Sequence, residues 1–162
     1  MDHKTSLTQH IKAPADKVWA VVSDIPGSAA TLSGIDSVQM LTAGPYAEGT
    51  RWKETRTMMG RSQTMELWVA QCEPPSPGRD GGTRGGSTTV KARQGGADYT
   101  SRFALVERDG GTDLTLTFGA EVIKPTRLGR IMMAVLGPIG MRITRKALAK
   151  DLAEIAAKAE SL

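Results

Sequence analysis

TRLGRIMMAVLGPIGMRITRKALAKDLAEIAAKAESL, residues 126–162, is the stretch that decides the fold. It is the longest continuous run with helical character, and the segments before it are short and alternating. A sheet with one apolar face must bury that face against a second layer, and only this run is large enough to provide one. Its apolar positions change phase along the way. At roughly 100° per residue, Leu128, Met132, Val135, Ile139 and Ile143 make one stripe, and Leu148, Leu152, Ile155 and Ala159 make another on nearly the opposite side. A straight rod cannot turn both stripes toward one sheet. Gly137-Pro138-Ile139-Gly140 separates them, and proline removes a backbone hydrogen bond and crowds the preceding turn. The pattern predicts a helix kinked near Pro138, with residues 128–136 as a gate at a pocket mouth and 140–159 as the anchoring part. The alternative is a helix whose halves bury different faces against different neighbours.

Working back from this helix, the remainder reads as strands. Residues 5–12 alternate, with Leu7, Gln9 and Ile11 on one side, and Pro14 ends the ladder because it has no donor. Val18, Trp19 and Val22 predict a short helix over 16–24, stopped by Pro26-Gly27, and a second short helix or loop follows to Gly34. Residues 35–42, 51–59, 63–72, 87–93, 98–107 and 113–122 read as further strands, with 87–93 as an edge. Asp109-Gly110-Gly111 is a hairpin signal. Residues 73–86, EPPSPGRDGGTRGG, are rich in Pro and Gly and predict a mobile loop. The tally is an α+β fold of seven antiparallel strands, two short helices after the first strand and a long C-terminal helix. It is read as one domain over 1–162. One helix cannot lie flat against a strongly curved sheet everywhere, so a gap between the two layers is expected.

Composition narrows the function. Hydrophobic residues make up 40% and charged residues 23%, ordinary for a globular chain, while aromatics are only 4% beside 8 Met, leaving aliphatic and methionine side chains to fill the interior. The net charge is +4, with Lys and Arg scattered, which argues against a nucleic-acid surface. Cys72 is the single cysteine, so no intrachain disulfide forms, and a reducing, cytoplasmic setting is expected. The apolar run over 131–141 is too short to span a bilayer.

Several segments together, IKAPADKVWAVVSDI, GTRWKETRTMMGR, QCEPP, GGTDLTLTF and RKALAKDLAEIAAKAE, resemble the START-related, polyketide cyclase/dehydrase-like helix-grip superfamily (SRPBCC). The most specific parts are Ala13 to Trp19 and Gly49 to Arg56, and the resemblance covers nearly the whole chain. It implies a seven-stranded antiparallel sheet gripping the C-terminal helix around a deep, mainly apolar pocket. It also implies ligands such as lipids, sterols or polyketides, with a minority of members acting as cyclases, dehydratases or hydrolases. No catalytic set is shared across the superfamily, so none carries over. The family helix is usually one rod, and the Gly137-Pro138 break departs from it.

The chemistry available is sparse. His3 lies in the terminus and His10 faces solvent; no H-x-x-H, C-x-x-C, G-x-S-x-G or phosphate-cradle pattern is present, so no metal and no cofactor is expected. The strand over 51–59 stands out, because Trp52, Glu54, Arg56 and Met58 share a face. If that face is inward, Glu54 is a general acid/base candidate with Arg56 or Tyr99 as orienting groups; if it lies at the rim, Glu54 and Arg56 are a solvated ion pair. Trp19 and Trp68 read as packing residues. The expected pocket lining is Trp52, Glu54, Arg56, Met58, Met65, Leu67, Tyr99, Phe103, Leu116, Phe118, Met132, Val135, Leu136 and Ile139. Three functions compete, in this order: a carrier of a hydrophobic small molecule, a cyclase or dehydratase using Glu54, and a peripheral membrane lipid carrier in which Arg127, Arg130, Arg142 and Arg145 touch headgroups. The expected partner is a small hydrophobic ligand, with no nucleic acid, and the chain is expected to be a monomer or homodimer.

Overall fold

The computed structural model describes residues 2–79, 81–123 and 137–162. In chain order these form β1 (Asp2–Ile11), α1 (Ala15–Val22), α2 (Ser28–Thr31), β2 (Ile35–Met40), β3 (Arg51–Met58), β4 (Arg61–Pro77), β5 (Arg84–Gln94), β6 (Ala97–Arg108), β7 (Gly111–Val122) and α3 (Pro138–Ser161). The strands make one antiparallel sheet in the order β1-β7-β6-β5-β4-β3-β2. Three of its links are two-residue hairpins with positive φ at both central residues: Met59-Gly60 (51° and 74°), Gly95-Gly96 (61° and 78°) and Asp109-Gly110 (51° and 75°). That turn suits the right-handed twist of the strands it joins.

Two strand expectations are corrected. Residues 73–86 are not a long mobile loop: β4 runs on to Pro77 and β5 starts at Arg84. Pro74 and Pro75 are accommodated because the register shifts between Glu73 and Ser76, a bulge where missing donors do no harm. Gly86 makes room for it, since a Cβ there would lie 2.6 Å from the Glu73 carbonyl oxygen and 2.8 Å from the Pro75 nitrogen. Nor is the strand over 87–93 an edge. As part of β5 it is the central strand, paired with β4 and β6, and its Ser87 and Thr88 are buried.

α1 begins where Pro14 is extended, and the Glu107 carboxylate of β6 caps it by accepting the Ala15 N–H at 3.0 Å. α3 begins at Pro138, with Gly137 before it extended (φ −67°, ψ 177°), so no helix runs unbroken through Gly137. The proposed gate over 128–136, together with Arg127, Arg130, Met132, Val135 and Leu136, lies outside the described residues.

Within α3 one stripe is buried: Gly140, Thr144, Asp151, Leu152, Ile155, Ala156 and Ala159. Leu152, Ile155 and Ala159 pack with Ile11, Val18, Leu105, Leu114 and Leu116 in the largest apolar cluster, each large side chain contributing about 1.5–3 kcal/mol. Ile139 and Ile143 are the correction here. Both face solvent, at 76% and 37% exposure, because the helix starting at Pro138 takes its phase from the Leu148 to Ala159 stripe.

Polar contacts fasten α3 on both sides. Arg145 donates to Thr5 Oγ1 and to the Ser6 carbonyl, and Glu160 accepts the Lys12 N–H, all on the β1 side. Across from these, Glu154 takes two hydrogen bonds from Ser33, and Asp151 pairs with Arg56 of β3. The helix thus ties the β1 edge to the β2–β3 edge, which holds the sheet curved around it.

Candidate functional site

Because strand side chains alternate, the inward residues of neighbouring strands line up in rows across the sheet. One row reads Met40, Trp52, Leu67, Ala92, Tyr99 and Ala120 by direct pairing. The next row carries Val38, Glu54 and Met65. These rows divide into two apolar groups distinct from the cluster under the C-terminal half of α3. Trp52 packs with Ile25, Val69 and Val90, joined by Val38, Met40, Tyr46 and Cys72. Tyr99 packs with Ala92, Ala97 and Ala120, and Met65, Leu67, Phe118 and Met141 lie against it while remaining only partly buried. These large apolar side chains point inward and still keep accessible surface among the described residues.

Tyr99 is the polar feature of that region. Its ring stacks on Phe118 with centroids 6.1 Å apart and 26° between planes. The residue is 7% exposed, and its hydroxyl is buried with no hydrogen-bond partner among the described residues. Burial pushes the phenol above its ordinary pKa, so at neutral pH it is a donor in want of an acceptor. Tyr46, the other tyrosine, is by contrast satisfied by Thr88 Oγ1 at 2.7 Å, and burial pushes it up to about 12.

Glu54 and Arg56 come together as a pair, with a third member the sequence reading missed. Arg56 Nε donates to Glu54 Oε1 at 2.6 Å, and Arg56 Nη1 lies 3.0 Å from Asp151 Oδ2 on α3. Trp52 Nε1 donates to Glu54 Oε2 at 3.3 Å. The side chains of Glu54, Arg56 and Asp151 are 14%, 30% and 10% exposed, so the cluster sits between the buried core and a solvated rim. Burial works against the Arg56 charge, but Asp151 and Glu54 outweigh it and hold the guanidinium above its usual value. Asp151 goes the other way from most paired carboxylates: burial raises it, Arg56 only partly offsets this, and Glu54 and Glu154 push it further up. Two carboxylates share one cation. Gly34 leaves the space, since a Cβ there would stand 3.1 Å from Arg56 Nη1.

Asp151 was legible in principle. It lies three residues after Leu148 and four before Ile155, inside the buried arc, where the stripe-based reading counted only apolar residues. The other expected lining residues fall as follows. Phe103 and Leu116 belong to the closed cluster under α3, Met58 is half-buried near the β3–β4 turn, and Ile139 points outward. Trp19 packs inside against Tyr46, but Trp68 is on the outer face beneath the Arg51 guanidinium, 5.3 Å from its ring centre. His10 is exposed and bonds Asp113 at 2.7 Å. Two depressions of about 490 Å³ each, one at the α1 end of the sheet and one around Trp68, are lined by charges of both signs. Among the described residues no cluster of His, Cys, Asp and Glu is placed to hold a metal ion, and no helix is long and apolar enough to cross a membrane.

An inner face of this shape under a C-terminal helix is the helix-grip arrangement of the START-related superfamily. The family model described as polyketide cyclase / dehydrase and lipid transport matches residues 2–160, and the chain belongs to that family. Among solved structures the fold is similar to the Zhui aromatase/cyclase from Streptomyces sp. R1128, with a TM-score of 0.76 and 17% identity over 99% of this chain and 94% of that one. It is also similar to TTHA0849 from Thermus thermophilus (0.72, 14% identity, 98% and 97% covered) and to a START superfamily protein from Mycobacterium smegmatis (0.70, 16% identity, 98% of each). At such identities the likeness speaks for the fold alone. The sequence matches no curated protein.

Proposed function

We propose that the chain binds a neutral, hydrophobic small molecule between the inner face of the sheet and α3, and that the Tyr99 hydroxyl donates a hydrogen bond to an oxygen of that molecule. The observation that carries this is the buried Tyr99 hydroxyl, without a hydrogen-bond partner among the described residues, set among inward-facing Met65, Leu67, Phe118 and Met141 that are only partly buried. Leaving such a hydroxyl unsatisfied costs about 1–3 kcal/mol, which a ligand acceptor would recover. An anionic ligand is disfavoured by the polar cluster three strands away, roughly 14 Å along the sheet, which has two carboxylates to one guanidinium. Native mass spectrometry of the purified chain should reveal a co-purifying neutral compound. Nile red, a neutral dye with a carbonyl acceptor, should brighten on binding, and Tyr99→Phe should weaken it about three- to tenfold. A protein that neither carries a ligand nor takes up the dye would defeat this reading.

A second reading, a cyclase or dehydratase, is favoured by one feature: Glu54 and the raised Asp151 form an inward-facing carboxyl pair. Such a pair can take a proton at one site and return it at another. Glu54→Gln separates the two readings, since an enzyme loses turnover while retaining ligand, whereas a carrier has no turnover to lose.

A further inference from the structure

The outward face of α3 between Gly137 and Lys150 has a makeup that folding alone does not require. At roughly 100° per residue, Ile139, Arg142, Ile143, Lys146 and Lys150 fall within one arc opposite the buried stripe. All five are exposed. Arg142, Lys146 and Lys150 are spaced four apart, a ladder of like charges that weakens an isolated helix. Residues 137–150 hold four of the 21 Lys and Arg and none of the 17 Asp and Glu. The other 17 cations are matched by the 17 acids, so the whole net charge of +4 resides in this stretch. The fourth cation, Arg145, is turned back to Thr5 and Ser6 of β1 and is not part of the face.

We infer that this face docks onto an anionic lipid bilayer. Ile139 and Ile143, one turn apart within the arc, enter the boundary between headgroups and acyl chains, and Arg142, Lys146 and Lys150 meet the lipid anions beside them. The exposed isoleucines are what select a bilayer over another polyanion. A nucleic-acid face gains its affinity from cations on phosphates and has no use for two exposed aliphatic side chains among them. The inference does not depend on what the interior holds, because every residue in it points away from the sheet.

The test is co-sedimentation of the full chain with phosphatidylcholine vesicles with and without phosphatidylserine. The chain should pellet only with the anionic vesicles, and high salt should release it as the Debye length falls from about 8 Å at physiological ionic strength to about 3 Å at 1 M. Lys146→Gln with Lys150→Gln should weaken partitioning roughly fivefold per cation, about 25-fold together. Ile139→Ser, at a 76% exposed position, should weaken it at unchanged charge. Thermal unfolding and Nile red uptake without vesicles are run on the same variants, so that a folding defect or an empty interior is not mistaken for loss of docking. Equal pelleting with and without phosphatidylserine, or no pelleting at all, overturns the inference. So does an Ile139→Ser variant that pellets like the parent while duplex DNA displaces both, since that identifies a general polyanion surface.

Discussion

Replacing Arg56 with methionine removes the cation that Glu54 and Asp151 share while keeping most of its aliphatic stem. Removing one partner of a buried ion pair costs about 3–5 kcal/mol, because the charge left behind is uncompensated. Arg56 is 30% exposed, so solvent screens part of the loss and the lower end applies, about 3 kcal/mol. In a chain of 162 residues each kcal/mol moves the unfolding midpoint by about 2–4 °C, which predicts a fall of about 6–12 °C at pH 7 by calorimetry or circular dichroism. The pH dependence supplies the sharper test. Asp151 has a folded pKa raised above its ordinary 3.8, so the folded state holds the proton between those two values. Stability from this group is fully present below 3.8 and is lost as pH rises through the folded value. Arg56 is the influence that lowers it, and without that influence the window extends upward. The gap between Arg56→Met and the parent should therefore narrow on acidification. Asp151→Asn is the counterpart: it keeps an acceptor for Arg56 and removes the surplus charge, and should melt at or above the parent midpoint at pH 7. An Arg56→Met midpoint within about 2 °C of the parent, or a gap that widens in acid, would reduce the cluster to a solvated surface pair.

Three further outcomes follow from the geometry. Gly86→Ala drives a Cβ against the backbone of Glu73, Pro74 and Pro75, and should destabilise by about 1–3 kcal/mol with an unchanged slope in urea; full tolerance would mean that the bulge in β4 is not held against β5. Tyr99→Phe should raise the midpoint of the ligand-free protein, since it deletes a buried hydroxyl with no partner among the described residues, even as it weakens ligand uptake. A lowered midpoint would show that the hydroxyl is satisfied. In alkaline titration, Tyr46, raised to about 12, should stay protonated at pH 10 while the chain is folded, and Tyr99, raised by burial, should ionise above a free tyrosine. Both phenols titrating like free tyrosine without unfolding would contradict the burial assigned to them.

The strands that alternate cleanly were legible because one face of each meets the core: Trp52 against Lys53, or Leu114 and Leu116 against Thr115, leave little doubt about phase. The long helix was legible from Leu152, Ile155 and Ala159. Errors arose where a tertiary neighbour overrides local composition. Pro74-Pro75 and Gly85-Gly86 each look like loop chemistry alone, and they form a strand pair only because Gly86 leaves room for the bulge. The polar β5 reads as an edge, yet Thr88 is buried by hydrogen bonds to Tyr46 and to the Gln71 carbonyl, contacts 42 and 17 residues away in sequence. In the site, Glu54 and Arg56 could be paired from strand alternation alone. Asp151 could not be joined to them without knowing that α3 brings it to Arg56, and that Tyr99 has no partner among the described residues is visible only once its surroundings are known.

The pairing of β1 with β7 has a consequence for how the chain assembles. Every other strand contact joins neighbours in sequence, so β2 to β7 can zip up hairpin by hairpin, three of the links nucleated by tight turns. β1 must instead find Gly111–Val122 from more than 100 residues away, aligning Asp2 with Glu121 through Ile11 with Thr112. Loop closure over that span is slow relative to local hairpins. Until it happens, β7 presents an open row of backbone donors and acceptors to any other strand in reach. The first strand of a second molecule matches that row as well as the chain's own, which makes concentrated refolding the condition under which strand-exchanged dimers form.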